Sequence, residues 1–320
     1  MAALPDRSLA FSYALFVLLM VVVGWLNLAT IIVAALFSFL ALRVLHFQKY
    51  KGLAVASFLV LIAALFYGFV LFVNHAIVVL PEIASTSIPV IVRYATEHGI
   101  DLPFTDTESL KAVALESIQT TVGFVGNFAK IATKEFVFLV VGVCVAIGIF
   151  LQPELQRNAE PQPLNLYSLH FGRLGQFFFS LYRSFERVMG AQVIISAVNT
   201  VLTAIFIYSF SLRYAPLLVA ITFLCGLLPV IGNIISNTVI VTVAFGVSPQ
   251  FAGWALLFLV SIHKLEYFLN SKIIGRRIQQ PMWLTLIALV LGERLFGIAG
   301  VILAPVVLNF IKVEASQYEP

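Results

Sequence analysis

The segment Leu227-Leu228-Pro229-Val230-Ile231-Gly232-Asn233 interrupts one long apolar stretch, and Gly292-Glu293-Arg294-Leu295-Phe296-Gly297-Ile298-Ala299-Gly300 interrupts a second. Because proline and glycine disfavour a continuous helix, each segment predicts a break in an otherwise helical run. The stretches that contain them, residues 215–245 and 282–311, are too long for one straight membrane helix and too short for two full crossings. The two breaks therefore decide how the last third of the chain folds.

Composition sets the class of the whole chain. Hydrophobic residues make up 61% of its 320 residues and charged residues only 11%, whereas about a quarter of a soluble protein is charged. The apolar runs are continuous, which favours spanning helices over the alternating pattern of a membrane β-barrel. The sequence predicts an all-α, polytopic helical membrane protein in a lipid bilayer, with two broken or re-entrant elements in its C-terminal third.

Basic residues indicate the orientation in the membrane. The net charge of +4 comes from lysines and arginines that flank apolar runs, which favours a topology signal over a nucleic-acid partner. Residues 43–51 contain three basic residues and no acidic one, and residues 152–190 contain four arginines. We predict that both segments and both termini are cytoplasmic, in a bacterial inner membrane.

The chain divides into successive predicted segments. Residues 1–80 form three membrane helices, 81–135 an external amphipathic insertion, and 136–151 a fourth membrane helix. Residues 152–190 form a cytoplasmic linker, 191–311 a transport unit that starts with a membrane helix, and 312–320 a cytoplasmic tail. The insertion contains the capping-box pattern Thr105-Asp106-Thr107-Glu108. Its apolar helix face packs across neighbouring membrane helices or, alternatively, contacts the interface or another subunit.

Polar residues within the transport unit are the candidates for chemistry. The membrane helix at 191–210 carries Ser196, Asn199, Thr200 and Thr203, a stripe that either packs helices together or faces a cavity. Ser248-Pro249 is a good N-cap and first helical residue. From there His263, Glu266 and Asn270 fall on one helix face, with Glu266 about 26 Å along, near the cytoplasmic end. This cluster either pairs with a lysine at the interface or binds a proton or ion.

The pair Glu293-Arg294 is the deepest predicted charge. A hairpin would place it near mid-membrane, where an unpaired charge costs at least about 2.5 to 3.5 kcal/mol. It is either a salt bridge that fixes the hairpin tip or a gate with a proton-sensitive carboxylate. At the first break, Asn233 and Asn237 either cap a helix end or offer amide groups to a polar solute or a sodium ion. The predicted helix breaks are Pro229, Gly232, Gly292, Gly297, Gly300 and Pro305.

Signatures of enzymes are missing from the sequence. It contains no Cys-x-x-Cys pair, Gly-x-Ser-x-Gly elbow, His-Glu-x-x-His motif or phosphate-binding glycine loop. The two cysteines lie in apolar runs without the spacing of a disulfide or metal site. We expect no catalytic residue, no metal and no cofactor.

Three motifs resemble the autoinducer-2 exporter family, also called PerM-like permeases. They are Leu228-Pro229-Val230-Ile231-Gly232-Asn233, His263-Lys264-Leu265-Glu266-Tyr267-Phe268-Leu269-Asn270 and Gly297-Ile298-Ala299-Gly300-Val301-Ile302-Leu303-Ala304-Pro305, the last preceded by Gly292-Glu293. The resemblance implies an exporter of small solutes or, as in some relatives, a cation/proton antiporter, acting as a homo-oligomer.

The resulting hypothesis is a secondary transporter that exports a small polar solute, such as an autoinducer-2-like signal or a metabolite, by ion-coupled alternating access. One alternative is sodium/proton antiport with Glu266 or Glu293 as the shared carboxylate. The other is a membrane scaffold that transports nothing and assembles partners through its external helix and linker.

Overall fold

The structure, a computed structural model, describes residues 7–46, 50–101, 124–152, 166–229, 231–274 and 281–316. Every regular element in these residues is an α-helix. The helices are α1 (Arg7–Trp25), α2 (Ala29–Val44), α3 (Lys51–Glu97), α4 (Phe124–Leu151), α5 (Leu166–Ser209), α6 (Ala215–Gly226), α7 (Ile231–Val247), α8 (Pro249–Ile274) and α9 (Met282–Ala315).

The helices confirm a polytopic membrane architecture. Within the described part of the chain, α3, α4, α5 and α9 are each long and apolar enough to cross a membrane. The pair α1 and α2, which changes direction by 111° at its break, makes a fifth span when it is counted as one. The chain groups into two compact units: Met1–Ile62, Ala132–Gly190 and Ile274–Pro320 in the first, and Ala63–Ile131 with Ala191–Ile273 in the second.

Two helices are longer than the sequence predicts. Helix α3 continues through Pro81 and Pro89 over 47 residues, about 70 Å at 1.5 Å per residue, so it extends well beyond a hydrocarbon core of about 30 Å. Helix α5 continues through Gly190, where a linker and a separate membrane helix are predicted. A long helix tolerates an internal proline or glycine where neighbouring helices, hydroxyl side chains or water satisfy the backbone groups that it frees. The predicted capping box at 105–108 lies outside the described residues.

The first unit has an aromatic core. The N-terminal half of α5 packs against α1 and the end of α9 through buried side chains: Phe16, Phe177, Leu181, Phe185, Met189, Val306 and Phe310. A second cluster joins α2, the start of α3 and α4, and contains Leu42, Ala54, Phe58, Ala146 and Phe150. These contacts bury apolar side chains between helices, as expected for the structural part of a membrane bundle.

Within the first unit, α9 folds back on itself at Gly297. This residue has φ 61° and ψ −145°, a conformation that glycine adopts far more easily than other residues. The backbones of Gly292 and Gly300 touch, since a Cβ added to Gly292 would lie 2.5 Å from the Gly300 carbonyl oxygen. Eight residues of straight helix would separate them by about 12 Å. The second element is broken as predicted, at Gly297, whereas the other predicted break positions, Gly292, Gly300 and Pro305, are helical.

The second unit contains the other predicted break. Helix α6 ends at Gly226 and α7 begins at Ile231, and the two pack against each other. Their approach is so close that a Cβ on Gly232 would overlap the carbonyl oxygen of Cys225. The first break is therefore confirmed as well. Helices α3, α5, α6, α7 and α8 together bury the core of this unit.

Candidate functional site

One face of α5 carries three polar residues toward the broken pair. Gln192, Ser196 and Asn199 are spaced four and three residues apart, so they share a helix face. The side chain of Gln192 donates to the Gly226 carbonyl at 2.7 Å, and the Ser196 hydroxyl donates to the Phe223 carbonyl at 2.8 Å. We call these three residues the polar face of α5.

The polar face completes the hydrogen bonding of the end of α6. A helix leaves its last four carbonyls without partners inside the helix. Of the four here, the Leu224 and Cys225 carbonyls accept from the backbone N–H groups of Leu227 (3.3 Å) and Leu228 (2.8 Å). The other two, at Phe223 and Gly226, are those bound by Ser196 and Gln192. Every carbonyl at this helix end is thus satisfied, two of them by side chains of α5.

Glu266 lies on α8 at the centre of the same unit. Helix α8 begins as predicted, because the backbone N–H of Phe251 donates to the Ser248 hydroxyl at 3.1 Å. Glu266 is only 9% exposed. Its Oε2 atom accepts two hydrogen bonds, from Nδ2 of Asn199 at 3.0 Å and from Nδ2 of Asn233 at 2.7 Å. The site therefore joins the polar face of α5, the start of α7 and α8.

The charge of Glu266 is not balanced by these partners. Amides supply dipoles but no positive charge, and a buried carboxylate is costly without a cationic partner. Of the described basic groups, only His263 comes within 4.0 Å, with Nδ1 3.8 Å from Oε2, and its side chain is 62% exposed. One bound proton or one monovalent cation would neutralise the carboxylate.

A second oxygen at the site is available. Asn199 is 7% exposed, and its Oδ1 atom has no hydrogen-bond partner among the described residues. The Oε1 atom of Glu266 likewise accepts no hydrogen bond from them. A carboxylate oxygen beside an unpaired amide oxygen can accept a hydrogen bond from a protonated group or coordinate a hard cation.

The distance of Glu266 from a helix end is shorter when residues are counted along α5 than when they are counted along α8. Asn199 precedes the last residue of α5, Ser209, by ten residues, or about 15 Å. That distance is about half of a hydrocarbon core of about 30 Å. If α5 ends at the outer surface of the core, the hydrogen bond from Asn199 puts Glu266 nearer mid-membrane than the residue count along α8 does. This geometry favours the ion-binding interpretation of the cluster over the interfacial one.

The other site residues that the sequence predicts make no described contact with Glu266. Asn237 is half-buried on α7 and has no hydrogen bond with the described side chains of the site. The side chain of Asn270 lies outside the described residues. Glu293 and Arg294 belong to the first unit, just before the Gly297 turn, and both are exposed there. Gln192 is a site residue that the sequence analysis missed, although its spacing from Ser196 and Asn199 could have indicated it.

A cavity of about 390 Å³ lies elsewhere in the second unit, along α5 and α8. Its lining is Phe206, Phe210, Phe251, Trp254, Leu257, Phe258 and Ser261. The one hydroxyl, that of Ser261, already donates to the Leu257 carbonyl at 2.8 Å. This cavity suits apolar groups and offers nothing to a polar solute, so it does not compete with the Glu266 site as a candidate.

The known proteins that this chain resembles are described as transporters or transport proteins. A family model described as "AI-2E family transporter" matches residues 11–319. The chain is 31% identical over 131 residues to "Putative transport protein YdbI" of Bacillus subtilis, covering 40% of this chain and 37% of that protein. It is 24% identical over 253 residues to a Thermotoga maritima protein of the same general description, covering 72% and 74%. No solved structure matches.

Proposed function

Because the chain belongs to the AI-2E transporter family, we propose that it is an ion-coupled secondary transporter in which Glu266 binds the coupling ion. It exports a small polar solute by alternating access. The observation that carries this proposal is the buried Glu266 carboxylate, which receives two amide hydrogen bonds on one oxygen and has, among the described residues, no lysine or arginine within 4.0 Å.

The coupling ion is a proton or a sodium ion. A proton would neutralise Glu266 directly, and the resulting hydroxyl could donate to an amide oxygen. A sodium ion would instead need several oxygen ligands, which Glu266, Asn199 and Asn233 supply if the amides turn their oxygens inward. In either state the site carries no net charge, which is the condition for crossing a low-dielectric region cheaply.

Sodium/proton antiport is the second candidate function. The unpaired Oδ1 of Asn199 beside the carboxylate favours it, because one site then serves both ions in turn. Glu293 remains the alternative shared carboxylate, and with Arg294 a candidate gate at the Gly297 turn. A scaffold that transports nothing gives no reason for a buried carboxylate that amides from two other helices hold, so we place it last.

Orientation and assembly complete the proposal. We place the protein in the bacterial inner membrane with both termini cytoplasmic, on the basic residues of 43–51 and 152–190. We also propose a homo-oligomer. In support, the most apolar window of α3 is only 6% buried within the chain, and its large side chains, such as Phe66, Tyr67 and Phe69, are exposed. Lipid or a second subunit must cover them.

The test is reconstitution into proteoliposomes that contain a pH-sensitive dye. Sodium is added first, then candidate polar solutes under an imposed pH gradient, and proton flux is recorded. We expect Glu266→Gln to abolish ion-coupled flux, since the amide can neither release a proton nor balance a cation. Flux that stays at the wild-type level in this variant would overturn the assignment.

Two further variants show whether the effect is specific to Glu266. Glu82→Gln is the matched control in the same unit, because Glu82 makes an exposed ion pair with Arg213 at 2.8 Å, a kind of contact worth little. We expect its flux to equal that of the wild type. If Glu293→Gln abolishes the flux and Glu266→Gln does not, the coupling carboxylate is Glu293 and our assignment is wrong.

A further inference from the structure

The α6–α7 pair depends on α5 for its hydrogen bonds. Two carbonyls at the end of α6 are satisfied by Gln192 and Ser196, at 2.7 and 2.8 Å. In water, solvent could replace these donors, but in hydrocarbon an unpaired carbonyl costs several kcal/mol. The tip of the pair can therefore leave α5 only when water or another polar group reaches it.

The same docking of the tip onto α5 determines whether Asn233 covers the Glu266 carboxylate. Asn233 lies just after the break, three residues into α7, and its amide covers the carboxylate at 2.7 Å. The approach of the tip to α5 is close, since a Cβ on Gly226 would lie 2.5 Å from the Ser196 hydroxyl oxygen. A shift of the tip away from α5 would break both carbonyl bonds and withdraw Asn233 together.

We propose that Gln192 and Ser196 are positioning residues that latch the α6–α7 tip onto α5, and that release of this latch is the step that exposes Glu266 to water. This inference rests on the proposed function, because the tip acts as the gate of an ion site only if Glu266 binds the coupling ion. Neither residue touches the ion. They act by holding Asn233, and with it the closed form of the site.

Three positions separate the latch from ordinary helix packing. Ser196→Ala and Gln192→Met each remove one donor to the tip while keeping a similar volume. Gly226→Ala opens the latch from the opposite side, by pressing a methyl group against Ser196. Thr200→Val is the matched control on α5, because the Thr200 hydroxyl donates to the Ser196 carbonyl of its own helix at 2.7 Å and not to the tip.

The chain offers its own reporter of tip movement. It contains two cysteines, and Cys225, which is half-buried, directly precedes Gly226. In a Cys144→Ser background, Cys225 is the single thiol. Its rate of labelling in proteoliposomes by a charged, water-soluble thiol reagent measures how often water reaches the tip.

We expect each of Ser196→Ala and Gln192→Met to speed labelling of Cys225 by about threefold to fifteenfold, from the range of hydrogen-bond energies between membrane helices. Gly226→Ala should speed it too, and Thr200→Val should leave it unchanged. Size-exclusion profiles identify variants that have not folded, and Gly226→Ala, which leaves both donors in place, tests the latch if the donor deletions aggregate.

The outcomes are separable from those of the flux test. Labelling rates that equal the parent rate in all three folded latch variants would overturn the latch, whatever Glu266→Gln does to flux. An equal increase in Thr200→Val would also overturn it, because general loosening of α5 would then explain the result. If labelling follows the latch but Glu266→Gln transports normally, only the proposed function fails.

Discussion

At Glu266 a buried carboxylate is met by two amides and, among the described residues, by no lysine or arginine. Lysine or arginine at position 199 or 233 would form a permanent ion pair, and such a pair would occupy the place of an exchangeable ion. Asparagine stabilises the ionised carboxylate with its N–H groups and can offer oxygen after the amide turns. The residue types at this site therefore suit a carboxylate that exchanges its counter-ion during a cycle.

Asn233→Ala distinguishes the two candidate ions. If the ion is sodium, loss of an amide ligand weakens its binding, and if the ion is a proton, loss of a donor to the ionised carboxylate tightens proton binding. A hydrogen bond to a charged group is worth about 1.5–3 kcal/mol, so either shift should be about tenfold or more. The concentration dependence of flux on sodium and on pH measures it.

The control for this substitution is Thr238→Ala. Thr238 is exposed on the same helix, and its hydroxyl donates to the Ile234 carbonyl at 2.8 Å. We expect its ion dependence to match the wild type. An Asn233→Ala variant whose sodium and pH dependence both match those of Thr238→Ala would show that Asn233 does not contribute to the ion site.

At the scale of elements, each broken element needs one glycine for its own reason. Gly297 needs its freedom of φ, because the turn has φ 61°. Gly232 needs its lack of a side chain, because α7 starts against the Cys225 carbonyl. Apolar composition alone would allow a straight helix in both places. The glycines make the folded-back forms accessible by removing the steric penalty.

Gly297→Ala should destabilise the protein, since the conformation at φ 61° and ψ −145° is nearly restricted to glycine and costs a residue with a Cβ about 1–3 kcal/mol. Gly232→Ala should destabilise it at least as much, because backbone must move. Gly253→Ala is the control: Gly253 lies inside α8 with nothing within 4 Å of an added Cβ, so alanine should be neutral or stabilising. Thermal unfolding of the purified variants in detergent compares the three.

An unchanged melting temperature in Gly297→Ala would contradict the folded-back form of α9. The comparison with Gly253→Ala matters because both replace glycine with alanine in an apolar helix. A common change in all three variants would reflect helix propensity, whereas a loss confined to Gly232 and Gly297 reflects the two turns.

At the scale of the whole molecule, we propose that both broken elements are re-entrant in the bilayer. If both are re-entrant, the positive-inside rule and the count of crossings require that they enter from opposite faces. The α6–α7 pair then enters from outside and α9 from the cytoplasm. This arrangement leaves residues 272–277 and the C-terminus on the basic, cytoplasmic side.

Labelling from each side tests this arrangement. Cys225 in the Cys144→Ser background should react with a membrane-impermeant thiol reagent added outside. Ile298→Cys, in a chain without the native cysteines, should react from the cytoplasmic side, since Ile298 is exposed beside the Gly297 turn. Tyr50→Cys and Ile100→Cys, both exposed, are the inner and outer controls. Reaction of both tips only from the opposite sides would exclude the re-entrant arrangement.

Much of the fold follows from the sequence, because a membrane makes local signals strong. Lipid forces backbone polar groups to pair within helices, so apolar length alone predicts the helical class. The breaks at 227–230 and Gly297 follow from proline and glycine. The C-terminal end of α3 and the start of α5 did not follow, since proline and glycine usually mark helix ends but here lie inside continuous helices.

The sequence by itself determined the helical membrane class, the two breaks, the Ser248 cap and a set of polar residues that included Glu266 and Asn233. Only the tertiary structure decided that Asn199, from another helix, donates to the same Glu266 oxygen as Asn233 does. It also decided that Gln192 and Ser196 donate to the last carbonyls of α6. Periodicity reports which residues share a face of one helix. It carries no information about which faces meet, because that depends on packing between segments that are far apart in the chain.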